Sequence, residues 1–381
     1  MLQKNDFALY RVAFEWPLET SKVKLRSLHI LPLCSFLVFA LAFSSQLSAQ
    51  NLTLEGQTGG FLTPTAYVVY MEKGQALSHP AIGVHYINAS KVIGNIETFS
   101  ITEAFYGRAE AGYTRSVHEF GDSGSGSASA AVIPGGFSQL WNASGMNVFH
   151  GKVVAINDGQ FGKYMPGVAV GGVVRTGDKF VTGEAAVVAT EANNAYCYYT
   201  GGLAFGACSL VAVPAPKSYT NGDVYVAVTK TWAKKPVPFL LNLGWKATNA
   251  NIFGIGGQST RFGGRFFGGL GIPLPLGKGI VAVPAVGFTQ EARTSKGLGV
   301  ASYTSLPLVA GKADVPTTLD YAVRITQRER SHFALDLGIG QVASSIGSAP
   351  TFTFPNPSPT GVASVNLQAK KVFGMGLSYR Y

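Results

Sequence analysis

Beyond residue 50, apolar side chains recur at every second position in stretches of about ten residues, and the three-to-four spacing of an amphipathic helix is hard to find. In PTTLDYAVRITQ, Leu319, Tyr321, Val323 and Ile325 fall on one face, and Asp320, Ala322, Arg324 and Thr326 on the other. HFALDLGIG divides in the same way, with Phe333, Leu335, Leu337 and Ile339 opposing His332, Ala334, Asp336, Gly338 and Gly340. VPFLLNLGWKA sets Val237, Phe239, Leu241, Leu243 and Trp245 against Asn242, Gly244 and Lys246. DVYVAVTKTW sets Val224, Val226, Val228 and Trp232 against Asp223, Ala227, Thr229 and Thr231. In RFGGRFFGGLGI, Phe262, Phe266 and Leu270 oppose Arg261, Arg265 and Gly269, with Phe267 as an exception. The final stretch, VFGMGLSYRY, puts Phe373, Met375, Leu377, Tyr379 and Tyr381 on one side and Gly374, Gly376, Ser378 and Arg380 on the other. Six earlier segments are less regular: HPAIGVHYINA, GNIETFSIT, YGRAEAGYTRS, NVFHGKVVAI, PGVAVGGVVR and VTGEAAVVAT. The pattern predicts an all-β chain.

A β-sandwich also alternates, so loop lengths are needed to place the strands. Counting back from the C-terminus, the connections run long (343–369), short (328–331), long (294–314), short (273–278), long (248–259) and short (233–236). Short turns at one end and long loops at the other are the signature of a transmembrane, antiparallel up-and-down β-barrel. Backbone polar groups in lipid need partners, so such strands must close on themselves. An even strand number with both chain ends on one side gives twelve strands if one early segment is not in the wall, or fourteen if TGGLAFGACSLVAV is added. Twelve is the preferred count.

Composition agrees with strands in a membrane. Only 13% of residues are charged, 46% are hydrophobic and 47 are Gly, with a mean hydropathy of +0.20. No apolar run after the first fifty residues reaches the roughly 18 to 20 that a spanning helix needs. Lys22, Lys24 and Arg26 precede an apolar stretch from Leu31 to Phe43 and the small residues Ser44, Ser45, Ser48 and Ala49. This is the layout of a secretory signal cleaved after Ala49. Residues 1–49 are therefore expected to be a signal peptide with an extended N-terminal region. Residues 50–78 form a short segment, periplasmic or associated with the lumen, and residues 79–381 the barrel. Loss of five Lys/Arg and three Asp/Glu with the signal lowers the net charge from +10 to +8. The cations are scattered singly along strands of an exported chain, so nucleic acid is not an expected partner. Cys197 and Cys208 would pair in an oxidising periplasm; the other reading is two separate buried thiols.

Together, the export signal and the terminal aromatic strand resemble a Gram-negative, porin-like outer-membrane β-barrel. In that class the last strand is read by the barrel-assembly machinery, and Leu377, Tyr379 and Tyr381, with Gly374 further back, match that assembly signal. GQTGGFLTPTA, ending at Ala66, is similar to an opening found in such barrels. DVYVAVTKTW and LLNLGWKATNANIFGIGG resemble the bacterial family called domain of unknown function 3034, over about 35 residues of the chain. The resemblance implies an exported barrel in outer-membrane lipid and supplies no catalytic residues.

Motifs that suggest chemistry are incomplete. GDSGSGSASAA (121–131) lacks the Gly-Pro that follows the nucleophile loop of trypsin-like proteases, and a flexible loop is expected. GIPLPLGKG (271–279) has the wrong glycine spacing for a phosphate loop and carries Pro273 and Pro275, so a tight turn is expected. His79, His85, His118, His150 and His332 have no metal-ligand spacing, and no metal, cofactor or enzymatic activity is expected. The inward face then carries the candidate chemistry: Lys246, Arg261, Arg265, Arg324 and Arg380, with Asp320 and Asp336 as acidic counterparts. Two readings follow. Inward cations would favour passage or binding of small solutes with a mild anion preference. If the charges pair with one another, the lumen is closed, and the barrel is a structural or surface-interaction protein whose loops at 118–145, 191–221 and 343–369 meet partners.

Overall fold

Alternation of small or polar with β-branched or aromatic residues closes the chain into a ring of twelve strands. The computed structural model describes residues 51–72, 74–89, 94–119, 144–177, 220–232, 238–250, 258–292, 317–327, 332–343, 345–353, 356–366 and 371–380, among which there is no helix. The wall is built from β1 (Ala81–Ala89), β2 (Gly94–Phe105), β3 (Ala109–Glu119), β4 (Ser144–Ile156), β5 (Gly167–Gly177) and β6 (Thr220–Trp232). It continues through β7 (Phe239–Ala250), β8 (Gln258–Gly271), β10 (Ile280–Gln290), β11 (Thr317–Gln327), β12 (Phe333–Ala343) and β15 (Lys371–Arg380). A four-residue strand, β9 (Leu274–Gly277), hangs on the edge of β10. Every wall pairing is antiparallel, and β15 completes the ring by pairing with β12 on one side and β1 on the other.

Twelve is the expected number. Because β5 pairs directly with β6, from Gly167↔Thr229 to Thr176↔Thr220, no strand fits between them. The fourteen-strand alternative therefore falls away; VTGEAAVVAT and TGGLAFGACSLVAV lie outside the described residues. The 343–369 connection differs from a plain loop, since β13 (Ser345–Thr353) and β14 (Asn356–Asn366) pair as a separate two-stranded sheet. At the opposite end of the barrel the turns are tight. Tyr106 and Gly107 both have positive φ between β2 and β3, as do Lys278 and Gly279 between β9 and β10. Two positive-φ residues in succession form the hairpin turn whose twist matches the flanking strands. Within GIPLPLGKG the expected tight turn is therefore confined to Lys278–Gly279, and Leu274–Gly277 before it is the short strand β9.

The outer surface is apolar all round. Phe99, Val153, Val224, Leu243, Phe262, Tyr321, Ile339 and Phe373 are all exposed, with Val224 at 57% and Phe262 at 59%. A contiguous apolar belt of this extent is not tolerated in water and is satisfied by lipid. Inside, Met146, Val148, Val173, Tyr225, Ala227 and Phe267 form one packed cluster, and Leu52, Val69, Ala81 and Ala104 form another. The lumen is therefore a filled core on the β4–β8 side. Phe267, the exception in the β8 pattern, points inward and meets Tyr225 edge-on, with ring centroids 6.1 Å apart. It fits because the facing residue is Gly244, where a Cβ would lie 2.1 Å from the Phe267 ring.

Candidate lumen site

The segment from Asn51 to Ala66 lies inside the barrel, and nearly all of its residues are buried. Its own bonds fold it into a compact hook: Thr53 N donates to Gln57 O (2.7 Å), Gly56 N to Thr53 O (2.9 Å) and Leu54 N to Phe61 O (3.0 Å). Short bridges pair Leu52 with Thr58 and Gly59 with Pro64. Gly56 turns the hook at φ +84°, and a Cβ there would come within 2.4 Å of Thr114 Oγ1. Only glycine meets both demands at once.

A backbone that enters a lumen must find partners for its N–H and C=O groups. The wall supplies them. Leu52 O lies 3.0 Å from His85 Nε2 on β1, and Gly56 O accepts from Thr102 Oγ1 on β2 (2.7 Å). Glu55 O accepts from Thr114 Oγ1 on β3 (2.9 Å) and Pro64 O from Asn242 Nδ2 on β7 (2.9 Å). Ala66 N donates to Thr229 Oγ1 on β6 (2.8 Å). The hook, hereafter the plug, is hydrogen-bonded around most of the ring.

Charges tie it further. Glu110 on β3 accepts from Thr58 N (3.0 Å) and Thr58 Oγ1 (2.6 Å) and pairs with Lys152 Nζ on β4 (2.9 Å), which also donates to Thr58 O (3.0 Å). Arg175 on β5 holds the Glu55 carboxylate of the plug through Nε and through Nη2 (2.8 Å), and the Asp223 carboxylate of β6 at 2.6 Å. Asn51 donates to Asp336 on β12. Where the chain leaves the lumen, the Tyr67 hydroxyl donates to Asp158 Oδ2 (2.8 Å), and Lys230 Nζ pairs with Asp158 Oδ1 (2.6 Å). Burial raises the Tyr67 phenol above its ordinary range, and the Asp158 carboxylate adds to the rise.

Of the residues singled out from sequence, Lys246, Asp320, Asp336 and Arg380 are buried on the inner face. Arg324 pairs with Asp336 through Nε (2.9 Å) and Nη2 (3.1 Å). Lys246 pairs with Glu291 (3.1 Å), whose backbone oxygen accepts from Arg265 Nε (2.6 Å). The guanidinium of Arg380 stacks over the Tyr70 ring at 4.4 Å. Two groups form, then: Asp320, Arg324 and Asp336 together, and Lys246 with Arg265. Arg261 is exposed near the start of β8. Leu377 and Tyr379 face outward, whereas Tyr381, Cys197, Cys208 and the GDSGSGSASAA stretch lie outside the described residues.

Sequence reasoning missed Glu55, Glu110, Lys152 and Arg175. For the last three a signal existed. Glu110 shares an inward face with Gly112, Thr114 and Ser116, Lys152 with His150, and Arg175 with Val173; all are buried or half-buried. The partner that makes them a site, the plug, is not adjacent to any of them in sequence.

Beside the plug runs a cavity of about 80 Å³. Cross-strand register explains it. One row across the wall reads Asn242, Gly269, Gly287, Asp320, Gly340, and the next reads Leu240, Gly271, Ala285, Ala322, Gly338. Ten wall positions thus carry only three side chains larger than alanine. Phe61, Thr63 and Thr65 of the plug form the opposite side.

No family model and no curated protein matches the sequence. Among solved structures, the chain is similar to the KdgM porin, with 6% identity and a TM-score of 0.37 over 79% of this chain and 99% of that one. It is similar to LpxR from Salmonella typhimurium (9% identity, TM-score 0.40, over 79% and 100%). It is also similar to a Pseudomonas aeruginosa FadL homologue (10% identity, TM-score 0.37, over 87% and 95%). Identities and scores this low carry no argument about activity.

Proposed function

We propose that the protein is a non-catalytic barrel of the bacterial outer membrane, porin-like in architecture, whose lumen its own N-terminal segment keeps closed at rest. The observation that carries this reading is the seating of Asn51–Ala66 against facing strands by both hydrogen bonds and ion pairs. The apolar outer belt supports a bilayer as its surroundings. Residues 1–49 serve as a cleaved export signal in this reading, and Leu377, Tyr379 and Tyr381 as the feature met by the barrel-assembly machinery. Kinship with domain of unknown function 3034 is part of the same proposal and rests on sequence alone.

Inward cations in an open pore would prefer anions. Here Lys246 and Arg324 each have a carboxylate within 3.1 Å, which weakens the case for a strong preference. Small solutes would pass only when the plug yields. Planar-bilayer recording tests the idea directly: the intact protein should give no sustained channel, and a variant lacking residues 51–69 should conduct steadily. A large, steady conductance from intact, heat-modifiable protein would sink it. The reversal potential of the deletion variant in a salt gradient measures whatever anion preference exists, and should be small.

A further inference from the structure

Asp320 is 6% exposed, and its Oδ1 has no hydrogen-bond partner among the described residues. The carboxylate lies over Gly287, where a Cβ would stand 2.5 Å from Oδ1, and it faces the cavity between the plug and the β7–β12 wall. Asp336, the other acid there, is fully engaged by Arg324 and Asn51. Arg324 and Asp336 cancel, so among the described residues that line the cavity one carboxylate is left without a paired cation. A buried carboxylate in that condition is held at a cost that a counter-charge relieves.

The rest of the lining narrows the class of counter-ion. Phe61, Leu240, Val283 and Ala322 offer hydrocarbon, while Thr63 offers a hydroxyl and the Asn242 amide is already bonded to Pro64 O and Thr229 Oγ1. A hydrated inorganic ion finds no ring of oxygens, since the polar groups are few and lie on different sides. The 80 Å³ available corresponds to about half a dozen water-sized positions, enough for an ammonium with three or four carbons. We propose that this cavity binds a short-chain primary alkylammonium, its N–H groups on Asp320 and its chain against Phe61 and Leu240. The inference rests on the plugged-lumen reading, because the plug forms one side of the cavity.

Calorimetric titration of the intact, detergent-folded protein with n-propylammonium tests it, with 1-propanol and propanoate as neutral and anionic isosteres. Propylammonium should bind at least tenfold more tightly than either, and Asp320→Asn should weaken it at least tenfold while 1-propanol binding is unchanged. Ala285→Leu, which fills the cavity and leaves Asp320 in place, should abolish binding of both, and it serves as the variant should Asp320→Asn fail to fold. No propylammonium binding, equal binding to Asp320→Asn, or saturation by Na⁺ that propylammonium does not displace would each overturn the proposal. The two readings can fail separately. A conducting intact protein that still binds the amine through Asp320 removes the closed lumen alone, and a silent protein that ignores the amine removes only this site.

Discussion

Arg175 holds both a plug carboxylate and a wall carboxylate, so its removal and the removal of one partner have unequal consequences. Arg175→Met leaves Glu55 and Asp223 buried together without the cation that is hydrogen-bonded to both, a situation that costs about 3 to 5 kcal/mol. Glu55→Gln leaves the Arg175–Asp223 pair intact and should cost about 1 kcal/mol or less, since the amide keeps a hydrogen bond to the guanidinium. Guanidinium unfolding midpoints in detergent would register the difference, and equal losses from the two variants would mean that the pairing is not as described. Gly56→Ala should act on the plug without touching a charge. Positive φ and a Cβ at 2.4 Å from Thr114 Oγ1 both oppose it, and channel openings in an otherwise folded barrel are the expected reading.

Strands differ in how openly the sequence declares them, and the reason is what each inner face touches. In the wall strands β6 to β8, β10 to β12 and β15 that face is mostly small or polar, as with Ala322 on β11 and Gly338 on β12, so alternation is plain and Lys246, Asp320, Arg324 and Asp336 could be placed from spacing alone. In β4 and β5 the inner face carries Met146, Val148, Val154, Ala169 and Val173, which pack in the lumen. Two apolar faces erase the period of two, and those segments looked irregular. For residues 50–78 the sequence left periplasm and lumen both open, and the hook itself could not be read: GQTGGFLTPTA has no periodicity, and its conformation depends on partners such as Thr229 and Asn242, which lie 163 and 178 residues away. Final-strand glycines make an element-level prediction. At Gly376 a Cβ would meet His85 Cδ2 at 2.4 Å, whereas at Gly340 on the adjacent β12 the nearest atom is 3.8 Å away. Gly376→Ala should cost about 1 to 3 kcal/mol, and Gly340→Ala should stay within about 0.5 kcal/mol, by the same unfolding measurement.

For the molecule as a whole, a closed twelve-strand ring with no free edge should resist detergent, so unheated protein should migrate faster on a denaturing gel than boiled protein. Identical migration of the two would be incompatible with closure. The plug adds a matter of chronology. Its contacts span the chain, with Asn51 meeting Asp336 across 285 residues and Leu52 meeting Ser378 across 326, against 46 between Gly56 and Thr102. Closing the longest of these loops costs about 2 kcal/mol more chain entropy than closing the shortest. More decisive than that increment, the pocket that receives Leu52 is shared between His85 near the start of the barrel and Ser378 near its last strand. That pocket does not exist until those strands have met. Residues made early in synthesis therefore become ordered late in folding, and until then they stay open to proteolysis. Protection of the Asn51–Ala66 stretch would report, as a clock reports an hour, the moment at which the ring is complete.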